Sequence, residues 1–147
     1  MRSEKIIRRI VRRCGTTDPF RICKAYHIIV IYKPLGKAYG LHQYAYHQHI
    51  IYINENLDEY WQRFTCAHEL GHVFLHEKEN TKWLQAYTGF SIDKIEHQAD
   101  DFAIALLTHD AEIEEGMTDA GLAALVGIPQ KFVQRVKDVI TSRRKTN

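Results

Sequence analysis

Apolar residues recur in two rhythms along the chain, and the change between them divides it. In "RSEKIIRRIVRRC" Ile6, Ile7, Ile10 and Val11 fall at i, i+1, i+4 and i+5 with basic residues between them, the stripe of an amphipathic helix ending near Gly15. "TTDPFRICKAYH" offers Thr17 or Asp18 as a cap and Pro19 in the first turn, so a second short helix follows. From residue 27 the texture changes. "HIIVIYKPL", "KAYGLHQYAY" and "HIIYINENL" are rich in Ile, Val and Tyr and are broken by Pro34, Gly36 and Gly40. That pattern predicts a three-stranded antiparallel meander. In its last strand Ile51 and Ile53 alternate with Tyr52 and Asn54, so one face is buried and the other wet.

Helical spacing returns in "LDEYWQRFTCAHELGHVFLH", about five turns long with Asp58 as N-cap. A polar connection, "EKENTKWLQAYTGFS", leads to a helix from about Ser91 to Leu107 whose apolar side carries Ile92, Ile95, Ala99, Phe102, Ala103 and Leu106. Two last helices, "TDAGLAALV" and "PQKFVQRVKDVIT", flank Gly127, Ile128 and Pro129. The expected fold class is α+β, a small three-stranded antiparallel sheet packed against a helical bundle. With 147 residues and no linker, repeat or low-complexity segment, the chain reads as a single domain over 1–147. Within it, 17–107 form the expected catalytic core and 117–143 a C-terminal helical pair.

Composition removes several classes. A hydrophobic fraction of 45% with 26% charged residues excludes a largely disordered chain. The net charge of +2 is too small for the whole molecule to act as a nucleic-acid binder, although "RRIVRR" and "SRRK" concentrate basic residues near the two ends. Neither a membrane-length apolar run nor a signal peptide is present, so a cytoplasmic location is expected. Cys14, Cys23 and Cys66 lack paired spacing and are expected as reduced thiols, Cys66 as a small buried hydrophobe.

The candidate chemistry lies in "FTCAHELGHVFLHE", where His68-Glu69-Leu70-Gly71-His72 is HExxH. Residues four apart on a helix share a face, so both imidazoles can reach one ion, while Glu69 flanks it as general base toward the attacking water. His76 continues the series, but eight residues of helix rise about 12 Å, against ligand distances of about 2 Å from zinc, so it is read as structural. The third ligand is sought in "EHQADDFA". Glu96 and Asp100 share a face there, Glu96 as ligand of a His2Glu site and Asp100 as acceptor for the outer N–H of a ligand histidine. His97 competes with Glu96 but lies about 100° around the helix from it and has no equally placed acidic partner. Candidates for stabilising an oxyanion, namely His47, His49, His97 and the tyrosines, including Tyr52 and Tyr60, are not ranked by the sequence.

"RFTCAHELGHVFLH" at 63–76, the pattern of Glu96, Ala99, Asp100, Phe102 and Ala103, and Leu106-Leu107 together resemble the ImmA/IrrE-type zinc metallopeptidases of mobile genetic elements and stress regulation. The likeness covers roughly residues 17 to 136. It implies a gluzincin-like core with His68, His72 and Glu96 on one Zn2+ and Glu69 as base. It also implies a protein substrate, a helix-turn-helix repressor encoded beside the gene. Two positions depart from the family's pattern: Thr108-His109 replace Met-Pro, and Asp100 stands where Asn is commoner.

Two rivals remain. "GLAALVGIPQKFVQRV" fits the spacing of a helix-turn-helix, with Gln130, Lys131, Gln134 and Arg135 as possible contacts to bases or phosphates. The same spacing serves two packed helices, so scaffold is the reading and direct DNA binding is not expected. The alternative function is a non-proteolytic, zinc-containing regulatory module that binds DNA or a repressor; Glu69 has no use in it. A hydrolase of non-peptide substrates is disfavoured because no phosphate-cradling loop or second metal cluster is visible.

Overall fold

In the computed structural model, residues 2–76 and 92–145 are described; the polar connection at 77–91 lies outside the described residues. Two helices open the chain, α1 (Arg2–Cys14) and α2 (Pro19–Ala25), followed by strands β1 (Ile29–Lys33), β2 (Gly40–Ala45) and β3 (Gln48–Asn54). Then come α3 (Glu59–Leu75), α4 (Ile92–Leu107), α5 (Asp119–Val126), a 3-10 turn (Gln130–Phe132) and α6 (Val133–Lys145). The caps follow local chemistry. Asp18 accepts from the Phe20 N–H, Asp58 from Trp61 and Thr118 from Gly121, each satisfying an N–H that the helix itself cannot.

The strand order is β1-β3-β2, with β2 antiparallel to β3 but β1 parallel to it. The sheet is therefore mixed, which corrects the expected antiparallel meander. Fully buried Ile51 and Ile53 put β3 in the centre, where both edges are paired, and the more exposed β1 and β2 take the edges. β1 reaches β3 in parallel only because 34–47, containing β2, carries the chain back across the sheet. Buried Asn54 pins that crossing: its side-chain amide donates to the carbonyls of Gly36 and Ala38 at 3.1 and 2.9 Å.

One core runs through the molecule. Ile7 and Ile10 of α1, Ile22 of α2, Ile51 and Ile53 of β3, Leu70 of α3, Phe102 and Leu106 of α4 and Val136 of α6 are all buried in it. Each contributes roughly 1.5–3 kcal/mol of transfer free energy relative to exposure. Where Thr108 replaces the family's Met it closes α4: its hydroxyl donates to the Ile104 carbonyl at 2.7 Å. Arg143 of α6 then donates to the Ala105 and Thr108 carbonyls, a cation on a helix C-terminus. Among the described residues no helix is long and apolar enough to cross a membrane.

Candidate metal centre

Helix α3 sets His68 and His72 one turn apart, and Gly71 between them lets α4 approach. A Cβ at 71 would lie 3.1 Å from Ala99 Cα and from Phe102 Cβ, so the two backbones are in near contact. That approach brings Glu96 and Asp100, one turn apart on α4, against both imidazoles. Glu96 Oε1 lies 2.9 Å from His72 Nε2 and Oε2 lies 3.0 Å from His68 Nε2, while the two Nε2 atoms stand 3.2 Å apart.

These distances test whether a metal fits. Ligand atoms of a tetrahedral zinc, each about 2.0–2.1 Å from the ion, stand about 3.3 Å from one another. The two Nε2 atoms stand 3.2 Å apart and the Glu96 carboxylate spans them, one oxygen on each, at 2.9 and 3.0 Å, slightly tighter than that. His68, Glu69 and His72 also offer atoms that all lie within 4.8 Å of one another, so two carboxylates border the same point. They differ in surroundings: Glu96 faces both Nε2 atoms and is half exposed, whereas Glu69 is buried and its Oε2 has no hydrogen-bond partner among the described residues. Such an atom costs roughly 1–3 kcal/mol or more until a polar partner reaches it. A divalent ion with one open position suits this set.

The charges are tightly coupled. Burial opposes the charged form of His68, but hydrogen bonds to Asp100 and Glu96 and the charge of Glu69 outweigh it and raise its pKa to about 10. Burial would likewise raise Glu96, yet its bonds to His68 and His72 hold it well below the usual carboxylate range. Glu69 is pushed up by burial, against the pull of His68 and His72, which moves a carboxylate toward the range useful to a base.

Asp100 Oδ1 lies 2.7 Å from His68 Nδ1, the placement expected of a group that fixes a ring's orientation. Its other oxygen accepts from Arg135 of α6 at 3.3 Å, and the same guanidinium binds Asp101 and the His97 carbonyl. Arg135, considered above as a DNA contact, is spent on α4. His97 is exposed and faces Asp101 at 3.5 Å. His76 caps the end of α3 with its N–H on the His72 carbonyl, its ring 5.9 Å from that of His72 and outside this set of ligand atoms.

A cleft of about 300 Å³ opens beside His68, Glu69, Glu96 and Asp100. Gly40, at the start of β2, touches the Glu69 stem: a Cβ there would meet Thr65 Cγ2 at 2.5 Å and the Tyr52 carbonyl oxygen at 2.7 Å. Of the oxyanion candidates, His47, His49, His97, Tyr52 and Tyr60 do not line the cleft, whereas Tyr39 does. Tyr52 donates to Gln43 at 3.0 Å, His49 shares a 2.9 Å hydrogen bond with His42, and Tyr60 lines a separate groove with Pro129. The hydroxyls that do line it belong to Tyr39 and Thr65, and Lys131 and Phe132 reach it from the C-terminal pair. Tyr39 lies in a connection, where no periodicity marks it.

Comparison with known proteins agrees with this geometry. The family model described as the IrrE N-terminal-like domain, a peptidase family, matches residues 23–135. Metallopeptidase ImmA of Bacillus subtilis (strain 168) is 36% identical over 131 residues, 84% of this chain and 76% of that protein. The uncharacterized immunity region protein 2 of Bacillus phage phi105 is 31% identical over 138 residues, covering 90% and 87% of the two chains. With the HExxH helix and the glutamate helix both inside the matched span, the chain belongs to the IrrE N-terminal-like peptidase family, the ImmA/IrrE-type metallopeptidases that its sequence resembles.

Proposed function

We propose that the protein is a zinc-dependent endopeptidase of the cytoplasm that cleaves a helix-turn-helix repressor. His68, His72 and Glu96 hold one Zn2+, Glu69 is the general base and Asp100 orients His68. The observation that carries this is the convergence of two imidazole Nε2 atoms and the Glu96 carboxylate, with contacts of 2.9–3.2 Å, beside a buried Glu69 oxygen that has no hydrogen-bond partner among the described residues. A zinc ion held there supplies Lewis-acid chemistry, acidifying water and polarising the peptide carbonyl. Glu69 takes the proton of the attacking water on its carboxylate and delivers it to the leaving amine nitrogen. Asp100 keeps the His68 Nδ1–H fixed, so that Nε2 faces the ion. Tyr39 and Thr65, which line the cleft, are the hydroxyl-bearing candidates to donate to the developing oxyanion.

The substrate enters as an extended segment. β3 is the central strand, paired on both sides, and has no free edge. The available edge is that of β2, whose start borders the cleft, and a peptide paired there passes over Glu69. The chain acts as one unit over 1–147, with the helical pair at 117–143 completing the cleft that the 17–107 core begins.

The repressor rests on family likeness and on the phage relative, whose printed name refers to an immunity region. The test is to incubate the purified protein with zinc and the helix-turn-helix repressor encoded beside its gene. Wild type should cut the repressor, and Glu69→Gln should bind zinc but cut about 10²–10⁴-fold more slowly. Equal cleavage by both proteins would remove Glu69 from the mechanism. If neither cuts and both relieve repression equally, the non-proteolytic module is correct.

A further inference from the structure

Apart from the Tyr39 hydroxyl, the proposed mechanism leaves one side of the cleft without a task. That side is aromatic and comes from three separate parts of the chain: Tyr39 from the connection before β2, Trp61 and Phe64 from α3, and Phe132 from the 3-10 turn. Phe64 and Phe132 stack at 4.2 Å with their planes 16° apart. Trp61 stands edge-on to Phe132 at 5.7 Å and to Tyr39 at 4.7 Å. These contacts fix the ring positions before anything binds. Such a wall, lining the same cleft as His68, Glu69 and Glu96, is a preformed apolar site of the kind that fixes one ligand group by burial.

Charge narrows what fits. Three carboxylates line the same cleft and would draw a basic side chain if they were free. Two are not: Glu96 is bonded to both imidazoles and Asp100 to His68 and Arg135, while Glu69, whose Oε2 has no partner among the described residues, is buried and is the base of the proposed mechanism. The remaining cation is Lys131, exposed at the cleft with its Nζ 5.6 Å from the Phe132 ring centroid. A basic residue entering along the wall meets this charge, whereas an apolar one meets the accessible rings of Tyr39 and Trp61, backed by the buried Phe64 and Phe132.

We infer that this wall is a specificity subsite that takes a bulky apolar side chain of the substrate next to the scissile bond, with Lys131 excluding basic residues. The inference rests on the metallopeptidase reading of the same site. It gives the C-terminal helical pair a direct part in substrate choice through Lys131 and Phe132.

The probes are hydroxamates of short peptides that differ only in the side chain beside the chelating group, namely Phe, Leu, Ala or Lys. Their binding to the zinc-loaded protein is measured by calorimetry. The Phe and Leu compounds should bind at least about tenfold more tightly than the Ala compound, and the Lys compound no more tightly than Ala. Phe132→Ala should shrink the Phe-over-Ala preference to within about twofold. Lys131→Glu, a surface change that leaves the core alone, should raise affinity for the Lys compound several-fold, a gain that loss of folding does not imitate. Affinities independent of side chain, or unmoved by both substitutions, would overturn the subsite while leaving the metal centre standing. If no hydroxamate binds, the metal centre fails and the subsite with it.

Discussion

Helices α3 and α4 and the sheet beside them are held together by different means. Between the helices, His68, His72, Glu96 and Asp100 are locked at 2.7–3.2 Å, and the backbones nearly touch at Gly71. The sheet rests one face on α3 and leaves Ile29, Ile31 and Leu41 about two-fifths exposed on the other. Its hairpin turns through Tyr46 and His47, both with positive φ, conformations that β-carbons disfavour. Atomic precision is concentrated where the chemistry needs it, and the sheet gives up packing and local ease in exchange for an open edge.

This contrast can be broken most severely at Gly71. Gly71→Val puts side-chain atoms into the Ala99 backbone, and should cost about 3 kcal/mol in denaturant unfolding together with the metal site. Arg135→Ala comes next. It removes the cation that steadies Asp100 without touching a proposed ligand, and should weaken zinc about 10- to 100-fold in competition with a chelator. Equal affinity for wild type and Arg135→Ala would show that Asp100 holds its position alone.

A pH series sharpens the same half. His68 keeps its proton up to about pH 10 in the metal-free protein, so metal must displace it. Zinc binding should release about one proton, and affinity should rise about tenfold per pH unit from about 7 to 9. The sign is fixed: protonated His68 stabilises the metal-free fold at low pH, and that contribution is lost as pH rises through about 10. A pH-independent affinity would separate His68 from the ion. The smallest effect belongs to the sheet. Tyr46→Asn with His47→Gly relaxes the turn and should stabilise by about 1 kcal/mol, with zinc affinity unchanged.

The two halves also differ in how far the sequence specifies them. Spacing on a helix fixes direction, so His68 with His72, and Glu96 with Asp100, could be paired before any coordinates, as could the caps at Asp18 and Asp58. Alternation along a strand says which face is buried but not which neighbour it takes or in which direction. That is why β3 was expected at an edge and stands in the centre, where its two buried isoleucines are best covered. Arg135 as a support of the site, and Tyr39 as the tyrosine at the cleft, are not singled out by the sequence for another reason. Their roles arise from long-range packing, of α6 on α4 and of a connection over α3, for which a single sequence carries no local signal.

The central claim is that Glu96 holds the ion and Glu69 does not. Zinc content and affinity of wild type, Glu69→Gln and Glu96→Ala test it directly, since Glu96 is half exposed and its loss leaves the core intact. The account expects one zinc per chain in wild type and Glu69→Gln, and affinity at least about 100-fold weaker in Glu96→Ala, where one of three ligands is gone. Zinc retained by Glu96→Ala but lost from Glu69→Gln would reverse the two carboxylates and contradict it.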